Sequence, residues 1–210
     1  PNSFLKIIPV WKDGWDEQLG TVLPQTMVEY ALQANQTYPD KRLIIHFMQP
    51  HHPFIGEKGR KNIRINEGIQ ASRRLALGFK VAREERPIIW KLVKEGKLDK
   101  NIIWESYQEN LQIVLDYAQK LIEKLKGKTV ITSDHGNLFG ERLFPFFWIK
   151  EYGHARKTYA KNLIKVPWLI IETNERKKIL PGEKTEYEVQ KDGTEDNQMK
   201  EKLKALGYIN

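Results

Sequence analysis

The sequence predicts an α/β fold with a mainly parallel sheet flanked by helices, and three observations carry that expectation. First, the short apolar runs "LIIHFM" (43–48), "TVITS" (129–133) and "PWLIIE" (167–172) have the length and composition of strands buried on both faces. Second, stretches with apolar residues at helical spacing lie between them, as in chains that lay helices over a parallel sheet. Third, the chain has 210 residues, 40% hydrophobic and 30% charged, which suits one domain with a substantial core.

In chain order, Met27, Tyr30, Ala31 and Ala34 recur at helical spacing until Pro39-Asp40 stops the pattern. The run 43–48 follows as a buried strand ended by Pro50, with His46 expected as a core residue in mid-strand. "HHPFIGEKGRKNIRINEG" (51–68) has loop composition, with three glycines and many charges. Over 102–126, Tyr107, Leu111, Val114, Leu115, Ala118, Leu121, Ile122 and Leu125 define the clearest helix, which Gly127 is placed to end. The strand 129–133 comes directly after it, and 167–172 is the third strand. Residues 174–198 are polar and read as a loop or small hairpin; 198–208 read as a closing amphipathic helix.

Composition narrows the function classes. The chain has no cysteine, so it has neither a disulfide framework nor thiolate chemistry. No apolar run reaches the roughly 20 residues of a membrane span and no signal peptide opens the sequence, so the expectation is a cytoplasmic protein. The net charge of +8 is interleaved with acids and apolar residues, and there is no zinc-finger spacing or basic recognition helix. The basic charge is therefore read as solvated surface, and nucleic acid is not expected as a partner.

The five histidines are His46, His51, His52, His135 and His154, and four of them lie at or beyond a strand end or in a glycine-flanked loop. In "VITSDHGNLFGE" (130–141), Asp134 and His135 stand where an apolar run stops and Gly136 follows. A carboxylate beside an imidazole offers one oxygen and one nitrogen ligand to a divalent cation from a single turn. The alternative is a carboxylate that caps the turn beside a histidine packed at the surface.

Those motifs, in their order, resemble the sulfatase branch of the alkaline phosphatase superfamily. "YQENLQIVLDYAQKLIEKLKGKTVITSDHGNLFGE" (107–141) resembles that family's helix-strand segment ending in Ser-Asp-His-Gly. "HFMQPHHPF" (46–54) resembles its Pro-His-x-Pro loop, and "YGHARKTYAKNLIKVPWLII" (152–171) its later Gly-His segment. The closing "KEKLKALGY" recurs in many such chains, and the resemblance covers about residues 40 to 209.

The resemblance implies an alkaline-phosphatase-like fold and a metal-dependent hydrolase of sulfate or phosphate esters or of phosphonates, with a small anionic ester substrate as its partner. It implies Asp134 and His135 as ligands of one divalent cation (Ca, Mg, Mn or Zn). His51 would be a substrate-side and catalytic histidine, His154 would contact the anion or protonate the leaving group, and Lys157 would contact the anion. Gln49 stands where two-metal relatives commonly carry Asp, which favours one cation. The family's nucleophile and first metal-binding Asp belong to an N-terminal strand-helix unit that residues 1–25 do not contain, Ser3 and Thr21 lacking its context. The expectation is thus a chain truncated at its N-terminus that carries part of an active site and is inactive by itself. A non-catalytic metal- or anion-binding domain of the same fold is the alternative.

Overall fold

The computed structural model describes residues 4–63, 73, 74, 77, 79, 89–143, 148–154, 158–173 and 175–181. Lys157, Ser3 and the expected closing helix lie outside the described residues, as do residues 174 and 182–198 of the polar segment. Helix α1 is Pro24–Thr37, α2 Glu57–Asn62, α3 Ile89–Lys94, α4 Lys100–Ile122 and α5 Lys161–Ile164. The strands are β1 Trp15–Asp16, β2 Thr21–Val22, β3 Lys128–Thr132, β4 Leu138–Arg142, β5 Lys150–Gly153 and β6 Trp168–Glu172.

The expected mainly parallel sheet is not what forms. Among the described residues there are three two-stranded sheets, β1–β2, β3–β6 and β4–β5, and every pairing is antiparallel. Two of the expected strands exist nearly as placed, but β6 runs back along β3 from Lys128↔Glu172 to Thr132↔Trp168. A continuous apolar run marks a strand with two apolar faces and carries no information about its direction. Direction is set by the intervening chain, and here the hairpin of β4 and β5 followed by α5 returns it antiparallel to β3. Nor is the run of β6 buried: Trp168 is 67% exposed, with Leu169 and Ile170 about half exposed.

Residues 43–48 are a second correction. They join no ladder, although their burial alternates. Ile45 and Phe47 pack toward the cluster of Val28, Ala31 and Leu121, while Ile44 points away and is 80% exposed. The same period of two turns His46 outward with Ile44 and Met48, so His46 is exposed and not a core residue. The supposed loop at 51–68 contains α2, with Glu57 in its first turn and Arg60 and Lys61 in its last, signs that suit the helix dipole.

Helix α4 organises the rest. Asp99 caps it, its carboxylate accepting from the Asn101 N–H at 2.9 Å. One stretch packs on α1 through Leu121 against Val28 and Ala31. The other reaches the cluster of Phe54, Ile63, Ile89 and Ile103, with Trp90, Tyr107 and Phe139 around it. Its buried stripe is Ile103, Ser106, Asn110, Val114 and Leu121, whereas Leu111 and Leu115 remain partly exposed. The buried face therefore includes two polar residues that an apolar count passes over.

Candidate functional site

The turn after β3 is tied down from both sides. The Thr132 hydroxyl donates to the Pro167 carbonyl at 2.7 Å, and the Gly136 N–H donates to the Leu163 carbonyl at 2.8 Å. Between these anchors stand Asp134 and His135. The Asp134 carboxylate accepts from the His135 N–H at 3.0 Å, and its second oxygen lies 3.7 Å from His135 Nε2.

Gly136 is needed here for space. A Cβ on it would lie 1.9 Å from the Asn162 carbonyl oxygen, a backbone atom that cannot swing aside. Gly136→Ala is therefore expected to lower stability by about 2–3 kcal/mol and to displace the Asp134–His135 turn. Urea denaturation checks the first part, and a stability equal to that of the parent would refute the clash.

His154 arrives on the other side of this turn. It follows Gly153, the last residue of β5, whose φ of +73° favours glycine. Gly153 also lies beneath the Trp90 indole, whose Nε1 would be 2.6 Å from a Cβ at that position. The result is a ring-centroid separation of 4.4 Å between His154 and His135.

The third contribution comes from the loop 49–56. His51 lies 5.8 Å from His154 between ring centroids and stacks on His52 at 4.1 Å. Asn110, fully buried in α4, holds this loop with all of its polar capacity. Its Oδ1 accepts from the N–H groups of Ile55 at 2.8 Å and Gly56 at 3.4 Å. Its Nδ2 donates to the carbonyls of His51 at 3.2 Å and Pro53 at 3.1 Å. Gln49 ties the same loop to β2, its Nε2 donating to the Val22 carbonyl at 3.2 Å and the Thr21 hydroxyl at 3.4 Å. That buried role gives Gln49 a structural reason to be an amide. It also removes Thr21 as an accessible nucleophile, since Thr21 is fully buried.

Three chain segments thus bring Asp134, His135, His154 and His51 together; only Lys157, outside the described residues, is not placed. Crowding has electrostatic consequences. Burial pushes the His52 value from 6.5 down to about 3, and the charges of His51 and His154 push the same way. Burial also lowers His51, reinforced by His135 and opposed by the His51 ring's own contact with the His52 carbonyl and by Asp134. His154 is lowered by burial and then by His135 and His51, with Asp134 opposing. These three imidazoles are accordingly neutral near pH 7. Tyr107 is raised, first by burial and then by the Asp134 charge.

The Asp134–His135 pair has the donor chemistry of a partial cation site. His135 Nδ1 lies 2.8 Å from the Gly136 carbonyl, which favours the tautomer that leaves Nε2 free to ligate. Ligand distances of about 2.0–2.2 Å allow one cation to span two donors up to roughly 4.2 Å apart, and the pair lies within that reach. Among the described residues no group of three or more His, Asp or Glu side chains is arranged to hold a metal ion, and the Asp134–His135 pair supplies two donors.

Sequence reasoning missed Asn110, and it noted Gln49 without the buried tie to β2 that Gln49 makes. The signal for Asn110 was present: a carboxamide, with Ser106 one turn earlier, inside the stripe that also carries Ile103 and Val114. No family model, curated protein or solved structure matches this chain. Among the described residues no helix is long and apolar enough to cross a membrane.

Proposed function

We propose that this chain carries part of the active site of a metal-dependent hydrolase of sulfate or phosphate esters. The observation that supports it best is the meeting of His51, His135 and His154 with Asp134, from three loops up to about a hundred residues apart in sequence. Histidines gathered without a dense set of carboxylates suit an anion, and the motif resemblance supplies the ester chemistry. In this reading Asp134 and His135 hold the cation, which would neutralise the anionic oxygens of the substrate. His51 and His154 face the anion, and His154 donates the proton to the leaving group.

The lowered value of His154 has a consequence within this reading. A neutral imidazole is a poor proton donor, but an anion bound beside it favours its charged form. Anion binding is then accompanied by proton uptake, and His154 becomes an acid once substrate has arrived.

The test is made on the complete gene product. Asp134→Ala is expected to lower affinity for Mn²⁺ by about 10–100-fold or more by titration calorimetry, the scale seen when a metal's ligand shell is disturbed. His135→Ala is expected to remove most hydrolysis of aryl sulfate, aryl phosphate or phosphonate monoester. Undiminished metal affinity in Asp134→Ala would refute the ligand assignment.

A non-catalytic anion- or metal-binding domain is the second reading, and the state of the hydroxyls favours considering it. Those of Thr21, Thr132 and Ser106 are all bonded within the fold, Ser106 donating to the Ile102 carbonyl at 2.7 Å. Ser133, beside Asp134, is the remaining serine near the histidines among the described residues. Metal binding without turnover of any of the three substrate classes would decide for this second reading.

A further inference from the structure

The histidine cluster adjoins an aromatic wall that none of the roles above uses. Phe139 of β4 pairs with Tyr152 of β5, and Leu138 pairs with Gly153, so the hairpin that ends at His154 also carries two rings. Trp90 packs on both, at 5.3 Å from Phe139 and 5.7 Å from Tyr152. From α4, Tyr107 and Trp104 meet Phe139 edge-on at 5.7 and 4.9 Å. Their own rings are parallel within 4°, with centroids 6.2 Å apart.

Two features of this wall bear on ligands. Trp104 is 46% exposed although Phe139 and Tyr107 hold its ring in place, so it offers a fixed aromatic surface to solvent. Tyr107 is half-buried, and among the described residues its hydroxyl makes no hydrogen bond. It also lies close enough to the histidine-bearing turn to feel the Asp134 carboxylate.

We infer that Trp104 and Tyr107 form a ring-binding subsite beside the histidine cluster, which takes a planar aromatic group esterified to the anion. The inference rests on the anion-ester reading of the histidine cluster and adds the chemistry of the leaving group. An aromatic ring stacks on the exposed indole in the offset or edge-to-face arrangements such pairs prefer. A pyranose would bring several hydroxyls to a wall built mainly of ring faces, where most of them would find no partner, whereas a single polar atom can meet the Tyr107 hydroxyl. That hydroxyl suits the single ester oxygen between ring and anion.

The experiment uses the complete gene product with Mg²⁺ and non-hydrolysable ligands. Calorimetry would compare inorganic phosphate, methylphosphonate, cyclohexylphosphonate and phenylphosphonate. Phenylphosphonate is expected to bind about tenfold more tightly than methylphosphonate, with cyclohexylphosphonate between them. Trp104→Ala should erase the phenyl preference and leave methylphosphonate unchanged, while Trp104→Phe should restore much of it. Because Trp104 is half-exposed, its loss does not empty a core, and Tyr107→Phe provides a milder second variant. Equal binding of phenyl- and methylphosphonate, or an equal loss for both in Trp104→Ala, would overturn the subsite while leaving the anion site standing. Failure of all four ligands to bind would refute the anion-ester reading and the subsite with it.

Discussion

Asn110→Leu is expected to cost on the order of 3 kcal/mol or more in stability and to release the loop that carries His51 and His52. The substitution keeps the branched shape and heavy-atom count of the side chain, with bulkier methyl groups, and removes the Asn110 partner of four backbone groups: the N–H groups of Ile55 and Gly56 and the carbonyls of His51 and Pro53. A buried polar group left without a partner costs about 1–3 kcal/mol, and relaxation of the loop into water recovers part of the sum. Release of the loop matters beyond stability, because His51 reaches His154 only while 51–56 is pinned to α4. Asn110→Asp should behave almost as badly, since a carboxylate keeps the two accepted bonds and faces two carbonyl oxygens with its other side. Urea denaturation measures the loss, and limited proteolysis within 49–56 measures the release. A loss below about 0.5 kcal/mol, with the loop still protected, would refute the clamp.

Acidification is the second large effect. The His52 value in the folded protein is about 3, against an ordinary value of 6.5. Between those values the unfolded chain holds a proton that the folded chain does not. Stability is therefore complete above pH 6.5 and is lost as the pH falls toward 3. His51 and His154, also lowered, act in the same direction. One pH unit is worth about 1.4 kcal/mol per proton, and local opening of the loop limits the total to roughly 2–4 kcal/mol. The range between pH 6.5 and 5.5 isolates the histidines, because the lowered carboxyls of Asp40, Glu95 and Glu175 remain ionised there. His52→Gln should flatten the decline in that range. Stability constant from pH 7.5 to 5 would show that the histidines are solvated and not crowded.

Much of the site was legible as residues and little of it as a place. Asp134 and His135 stand out because an apolar run stops at an acid, an imidazole and a glycine, and that local break survives folding as an anchored turn. His154 stands out beside a glycine, and Gly153 does take a positive φ. Gly136 is required by a contact that the local sequence does not show. It is the Asn162 carbonyl, from α5, that excludes a side chain there. Asn110 was hidden because helical periodicity counts apolar residues, and a carboxamide that meets four backbone groups does its work through partners more than fifty residues away.

By itself the sequence determined where helices α1 and α4 and strands β3 and β6 lie, because periodicity and punctuation act within one or two turns of chain. It also determined which side chains carry donor chemistry. Strand direction, the exposure of His46 and Ile44, and the meeting of three histidine-bearing segments were decided only by the tertiary structure. Each depends on contacts between residues far apart in the chain. An antiparallel return of β6 along β3 is set by the hairpin and helix between them, and no residue in either strand encodes it. The low value of His52 is likewise a property of its surroundings: an isolated histidine titrates near 6.5, and burial among two others takes it to about 3.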